Sequence, residues 1–480
     1  MHRKWWALIA VCSAIFMLLL DITIVNVAIP SIKTALHASF SELQWIVDAY
    51  ALTLASLLLM SGSISDLVGR RRIFMVGLVL FVLASAGCAM ADTPVQLIAA
   101  RAVQGIGGAM MFATSLAILA TTFHGKERGT ALGIFGATTG LAVAVGPTAG
   151  GMLTEWADWR WIFLINVPIG ILALLLTLTQ VEESKSPAGG RVDIVGVVTF
   201  SGSLFALVIA LIEGNNWGWS SGRVLGLFVA SAVLMVLFVI AELLQSRPMF
   251  DLGLLKNPTF LGAGLVAFTL SASMFAMFLF LVLYLQNILH YTPVQTGLRF
   301  LPLSGVSFFA AAISGRLTVI VQRRYLMAGG MVLVTIALAW MSLITTSGGW
   351  INLLPGFVLA GIGIGLINPA LASTAVGVVE PRRSGMASGI NSTFRQVGIA
   401  TGIAVLGVVF SHTVPLIERA TPDQFINGFV DALHVSAGVA LAGALCAWFM
   451  IRESDFVPQV MGSAPTHDHV DMDAAPVAAE

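Results

Sequence analysis

Four ionisable side chains stand inside apolar runs long enough to cross a bilayer: Asp21 in LDITIVNVAIP (20–30), Asp48 in WIVDAY (45–50), Arg101 in RAVQGIGGA (101–109) and Arg395 near the C-terminus. A charge at the bilayer centre costs roughly 2.5–3.5 kcal/mol on translocon scales, so such groups face a bundle interior or a water-filled path. A carboxylate there can carry a proton or meet a cation. Arginine keeps its charge at any working pH and acts as a fixed positive centre. Arg101 either snorkels to an interface or works inside, and its position about two turns from the end of its run favours work inside. Gln104 follows one turn later on nearly the same face. The eight histidines fall in loops or near the ends of runs, without HExxH, and His467 and His469 form only a weak ligand pair in the tail. With no P-loop either, the chain reads as neither a metal-dependent membrane enzyme nor an ATP-driven pump, and no cofactor is expected.

The elements that hold these residues follow from composition. Of 480 residues, 58% are hydrophobic and 10% charged, with mean hydropathy +0.93, so this is an integral membrane protein. The apolar runs are about 20 residues long, as helices require, without β-barrel alternation. Fourteen spans are expected, the first at 7–29, the second at 43–64 and the last at 430–451. A net charge of zero excludes a nucleic-acid-type basic surface. With the N-terminus inside, sixteen Lys and Arg, including Arg70, Arg71, Arg72, Arg191, Arg247, Arg382 and Arg383, fall on inner loops and ends. Four, Lys33, Arg160, Arg223 and Arg419, fall outside, so both termini are expected in the cytoplasm. MHRKWW has the basic character of a signal peptide without a cleavage pattern, and should remain as helix 1. Cys12, Cys88 and Cys446 read as small apolar fillers.

Asp21 and Asp48 lie on adjacent antiparallel helices at depths about one turn apart, so one cavity can hold both. The loop GSISDLVGRRR (62–72) offers Gly62 and Gly69 for close backbone approach. Its arginines satisfy a topology anchor, whereas Asp66 contributes little to orientation. In GLAVAVGPTAGG (140–151), Gly146, Pro147, Gly150 and Gly151 predict either close packing or a kinked, mobile helix. Phe275 and Phe278 suit an adaptable apolar wall as well as ordinary packing. Glu213 reads as an exposed loop acid or a vestibule group.

An internal repeat organises the spans. An ungapped offset of 256 residues pairs Gly105 with Gly361, Gly107 with Gly363, Gly129 with Gly385 and Gly146 with Gly402; an offset of 253 pairs Gly62, Arg70 and Gly77 with Gly315, Arg323 and Gly330. Two parallel six-helix halves with a spare pair of helices between them result, an architecture suited to alternating access. The halves are unequal: Phe357 replaces Arg101, Val319 replaces Asp66, and Arg395 answers to Thr139. The expected parts are a first half at 1–185, the inserted helices 7 and 8 at 186–247, a second half at 248–452 and a disordered tail at 453–480.

The motifs LDITIVNVAIP, GSISDLVGRRR, RAVQGIGGA, GLAVAVGPTAGG and WRWIFLINVPIG (159–170), in that order, resemble the fourteen-helix drug:proton antiporter branch of the major facilitator superfamily along residues 5–452. The resemblance implies an all-α major facilitator fold in the cell (inner) membrane, working as a monomer. By the same resemblance Asp21 and Arg101 belong to proton coupling, and Gly62, Asp66, Gly69, Arg70 and Arg71 to an inner gate between the halves. Gly146, Pro147, Gly150 and Gly151 form the antiporter bend. Asp48 matches an acid of cationic-drug exporters; with Gln104, Arg395, Phe275 and Phe278 it completes the expected substrate site. The expected partners are lipid, protons and small lipophilic, cationic compounds that the chain exports. Export of an endogenous antibiotic, metabolite or lipid, and proton-coupled uptake of a metabolite, remain as alternatives.

Overall fold

The structure, a computed structural model, describes residues 3–123, 125–185, 193–245, 250–318, 320–344, 348–379, 384–414 and 420–456. Expectations for Arg191, Arg247, Arg382, Arg383, Arg419, Val319, His467, His469 and the tail beyond 456 lie outside the described residues.

Fourteen long helical segments follow one another: α1 (Arg3–Leu36), α2 (Phe40–Val68), α3 (Arg70–Ala89), α4 (Pro94–Thr122), α5 (Gly125–Trp156), α6 (Trp161–Gln180) and α7 (Ile194–Trp217). The remaining seven are α8 (Gly222–Leu244), α9 (Pro258–Ile288), α10 (Pro293–Leu317), α11 (Arg323–Met341), α12 (Leu354–Gly377), α13 (Ser384–Thr413) and α14 (Pro422–Met450). Thirteen spans among the described residues are long and apolar enough to cross a membrane, and the fourteenth expected, α5, is a 32-residue helix. No strand occurs among the described residues. Continuous helix satisfies the backbone groups that lipid cannot.

The repeat is visible in the packing. α1–α6 pack among themselves, as do α9–α14. A Cβ on Gly107 would stand 2.7 Å from the Gly77 carbonyl oxygen, and one on Gly363 2.6 Å from that of Gly330. Likewise Gly105 lies against the Tyr50 carbonyl and Gly361 against that of Leu303. Both copies need glycine because a bare backbone is the only surface thin enough for these crossings. The 253-residue offset also extends to a turn: α1 and α9 end in left-handed histidines, His37 (φ 52°) and His290 (φ 54°). Capping boxes follow, Ser39 with Glu42 and Thr292 with Gln295.

One end of the bundle gathers the first and last described residues. There Arg3 pairs with Glu182 at 3.0 Å, Lys4 with Glu127 at 2.7 Å, and Arg323 with Glu453 at 3.1 Å. Past Arg452, Glu453–Asp455 forms a 3-10 turn docked on Arg323 and Thr259. At the opposite, distal end the two halves meet. Gln44 donates to the Ile403 carbonyl at 3.0 Å and Gln286 to that of Val27 at 2.9 Å. Gly151 lies against the Pro293 backbone and Gly297 against that of Pro147. Toward the terminal end, Gly62, Gly133, Gly136, Gly305 and Gly315 have nothing within 4 Å of where a Cβ would be. The described backbone contacts between the halves are thus concentrated distally, and toward the terminal end Leu59 still meets Gly389.

α7 packs on both α2 and α13, covering one seam between the halves, while α8 packs on α7 and turns Val229, Val233, Val236 and Leu243 outward. Replacing Gly297 by Val forces a side chain onto backbone that cannot move aside. The expected cost is about 1–3 kcal/mol, seen as a lower unfolding midpoint of the purified chain in detergent. Gly305→Ala, placed in open space, is expected to change it by no more than about 0.5 kcal/mol.

Candidate functional site

Asp21, at 0% exposure, meets Arg101, at 1%, across the first half. An Arg101 Nη1–Asp21 Oδ2 ion pair joins α1 to α4. Arg101 Nη1 also donates to Gln104 Oε1 at 2.6 Å, and its Nε to the Ile46 carbonyl at 3.1 Å. Gln104 Nε2 donates to Asp21 Oδ1 at 2.9 Å and to Ser85 Oγ at 2.8 Å. Asn166 Nδ2, from α6, donates to the same Asp21 oxygen at 3.0 Å. The guanidinium carbon lies 4.3 Å from the Tyr50 ring centroid, and the Tyr50 hydroxyl donates to the Leu18 carbonyl at 3.4 Å. Five helices of the first half therefore converge on one carboxylate: α1, α3, α4 and α6 through side chains, and α2 through a backbone carbonyl and a ring.

Effective desolvation costs several kcal/mol per buried ion, and such a pair persists only when its remaining donors and acceptors are also bonded. Asp21 meets that condition at both oxygens, while Asn166 Oδ1 has no partner among the described residues. Gln104 fits the expectation that it shares the Arg101 face, but bonds Asp21 as well. Ser85 and Asn166 were not foreseen; the only sequence signal was one polar residue in each of two apolar runs.

Asp48 lies elsewhere. Two residues before Tyr50, it points about 200° away around α2. It shares a stripe with Gln44, which bonds α13, and Leu59, which touches Gly389 of α13. On the same flank Trp45 donates to Glu213 at 3.0 Å and Ser56 accepts from Ser201, both on α7. Asp48 thus sits in the α2–α7–α13 seam at 0% exposure, and neither carboxylate oxygen has a hydrogen-bond partner among the described residues. The single cavity expected for Asp21 and Asp48 is not formed in this state: α2 separates them. Glu213 is a tether for Trp45 and Asn216.

Where the first half places Arg101, the second stacks rings: Phe357 on Phe300 at 5.4 Å, Phe300 on Phe278 at 5.1 Å, and Phe278 on Phe275 at 6.2 Å. Phe278 is buried in this stack and Phe275 half-buried at its end. Two π turns, Ser271–Phe275 and Tyr284–Ile288, interrupt α9 around them. Arg395 Nη2 donates to Asn368 Oδ1 at 3.1 Å, far in sequence and register from both acids.

Of the loop residues, Asp66 pairs with Arg70 at 2.9 Å within its own loop. Gly69 takes φ 129°, a conformation that favours glycine. There Glu183 accepts from the Arg71 and Arg72 amides at 3.1 and 3.3 Å, capping α3. Glu453 caps α11 the same way, accepting from the Arg323 amide at 2.8 Å. The hydrogen bonds of Asp66, Arg70 and Arg71 among the described residues stay inside the first half, and a Cβ on Gly62 would meet nothing within 4 Å. α5 runs unbroken through Pro147; Gly146 and Gly150 admit Thr23 and Ile24 of α1, and Gly151 admits α10.

Comparison with known proteins adds the family level. A family model described as Major Facilitator Superfamily matches residues 11–403. Puromycin resistance protein pur8 of Streptomyces alboniger is 34% identical over 96% of this chain and 94% of its own length. Multidrug resistance protein Stp of Mycobacterium tuberculosis is 36% identical over 87% of this chain and 78% of its own. The tetracenomycin C resistance and export protein of Streptomyces glaucescens is 34% identical over 86% and 77%. Among solved structures, a bacterial homolog of the human lysosomal transporter Spinster superimposes with TM-score 0.68 at 16% identity, covering 95% of this chain and 99% of that one, a likeness of fold.

The network sets an order of costs. Arg101→Met leaves a buried carboxylate without its counter-charge, and an expected loss of about 3–5 kcal/mol. Asn166→Leu removes one donor and costs about 1–3 kcal/mol. Unfolding of both variants in detergent checks this; equal losses would mean that Arg101 is not the dominant partner.

Proposed function

The chain belongs to the Major Facilitator Superfamily, and from that premise we propose that it exports lipophilic, cationic drugs in exchange for protons. It is a multi-pass membrane protein, not an enzyme, and its relatives named above are resistance and export proteins. In this reading it lies in the cell's inner membrane with both termini in the cytoplasm, works as a monomer, and binds its cargo with the terminal end open. The halves at 1–185 and 248–452 rock about the site between them, and the pair at 186–247 covers one seam.

The observation that carries the reading is that two fully buried carboxylates stand in unlike settings, Asp21 saturated with partners and Asp48 with none. A saturated ionised carboxylate is a closed switch. Protonating Asp21 cancels the charge that compensates Arg101, so α1 and α4 must repack against α3 and α6. Protonation then biases the carrier between its two openings, as any differential ligand does. An unpartnered buried carboxylate suits a different task, meeting an organic cation or a proton in alternation. Asp66, Arg70 and Arg71 serve the gate when the terminal end closes, with Gly62 and Gly69 at the crossing. Gly146, Pro147, Gly150 and Gly151 supply the surface along which α5 slides on α1 and α10. Gln104 holds Asp21, and Phe275 with Phe278 supplies apolar wall.

A proton crossing about 100 mV contributes about 2.3 kcal/mol. At about 1.4 kcal/mol per tenfold, that sustains some tens-fold accumulation. For a monovalent cation exchanged against one proton the voltage contribution cancels, and a second proton on Asp48 restores it. Drug-induced proton release from the reconstituted full chain tests the assignment. Asp21→Asn is expected to bind drug and to release fewer protons than the wild type, keeping at most the share exchanged at Asp48; undiminished release would overturn its role. Asp48→Asn is expected to lose binding of cationic drugs by about tenfold or more while keeping neutral ones. Equal loss of both would remove Asp48 from cation recognition.

A further inference from the structure

Arg395 is a membrane-level cation that the network above leaves unexplained. It is partly buried on α13, and no carboxylate lies within 4.0 Å of it among the described residues. Its described polar contact is one bond to the Asn368 side-chain oxygen at 3.1 Å, from α12. One turn toward the terminal end on the same face stands Asn391, whose buried Oδ1 has no hydrogen-bond partner among the described residues. Further along that face Gly398 lies against the Phe268 backbone, and a Cβ on Gly402 would stand 2.6 Å from Ala272 Cα of α9. The face therefore looks toward α9 and α12, and at Arg395 and Asn391 it carries polar side chains instead of glycine. In the repeat, Thr139 occupies the position of Arg395, so the feature belongs to the second half alone.

We propose that Arg395, Asn368 and Asn391 form a subsite for the anionic group of an amphiphile whose flat apolar body reaches Phe275. A partly buried guanidinium without a carboxylate at membrane depth faces the bundle interior or a water-filled path, not lipid. Its planar fork of five donors, one engaged by Asn368, presents the geometry that a carboxylate, sulfonate or phosphate accepts in bidentate fashion. Asn368 holds the fork in place. The orphan Asn391 oxygen takes a hydroxyl or amide donor next to the anion. Phe275, half-buried at the end of its stack, precedes Ala276, which Gly402 touches. Gly402 is seven residues along α13 from Arg395, about 10 Å at 1.5 Å per residue. That span matches an aromatic system of two or three fused or linked rings carrying an acidic group at one end. With Asp48 in a separate seam, the chain accepts cations and anions at different walls, and a zwitterion can use both.

The inference rests on the opening at the terminal end being the cargo path, as proposed above. Equilibrium binding needs no proton gradient, so it separates the two ideas: intact anion binding with no proton exchange would sink the antiport reading alone. The probe is anilinonaphthalene sulfonate, with ethidium as the cationic counterpart, both measured by fluorescence anisotropy on the full chain in neutral detergent. Arg395→Gln is expected to weaken saturable sulfonate binding by about tenfold or more and to leave ethidium within about twofold. Unchanged sulfonate binding, or parallel loss of both dyes, overturns the subsite. Asn368→Ala, which releases the guanidinium from its tether, is expected to weaken the sulfonate by about threefold with ethidium unchanged, and carries the same test if the glutamine variant does not fold. No change in that variant also counts against the subsite.

Discussion

A charge in a low-dielectric interior must be compensated at contact distance, and in this chain the Asp21–Arg101 pair is where that constraint shapes the helices around it. Five helices are drawn to one carboxylate, four by side chains and α2 by the Ile46 carbonyl and the Tyr50 ring. Because both Asp21 oxygens are bonded, to Arg101, Gln104 and Asn166, changing the charge of Asp21 alone cannot be a local event. The same tightness that makes the pair tolerable in the membrane makes it a device for turning one proton into helix motion.

The second half shows what the constraint excludes. Its helices repeat the glycine crossings, the left-handed histidine turn and the glutamate-capped loop of the first, yet Phe357 stands at the position of Arg101. Without a buried charge to compensate, that region fills with stacked rings and bends through two π turns. One half is built around an ion pair and the other around an adaptable apolar wall. Distal contacts such as Gly151 on Pro293 close the two against each other, while the glycines near the terminal end stand clear.

Much of this was legible in the sequence, for physical reasons. Spans follow from run length and the repeat from glycines that no other residue can replace. Asp21, Arg101 and Gln104 announced themselves because charge and amide are costly in apolar runs. Ser85 and Asn166 did not, since a small hydroxyl or amide inside a membrane helix more often bonds its own backbone. Periodicity fixed the face of α2 that carries Asp48 but not the helix opposite it; only packing revealed α2 as the wall between the two acids. Glu183 and Glu453 looked like ordinary loop charges because their partners are backbone amides of distant helices. The turn at Glu453–Asp455, at the start of the stretch expected to be a disordered tail, escaped notice for the same reason.

Whether Asp21 exchanges the proton is open to direct observation by infrared difference spectroscopy of the reconstituted full chain, following the carbonyl stretch of protonated carboxyl groups as drug is added at constant pH. The expected result is a negative carbonyl band in the wild type that is diminished in Asp21→Asn to what Asp48 alone contributes and that persists in Asp48→Asn as the contribution of Asp21. A band of undiminished size in Asp21→Asn would contradict the role given to the buried pair.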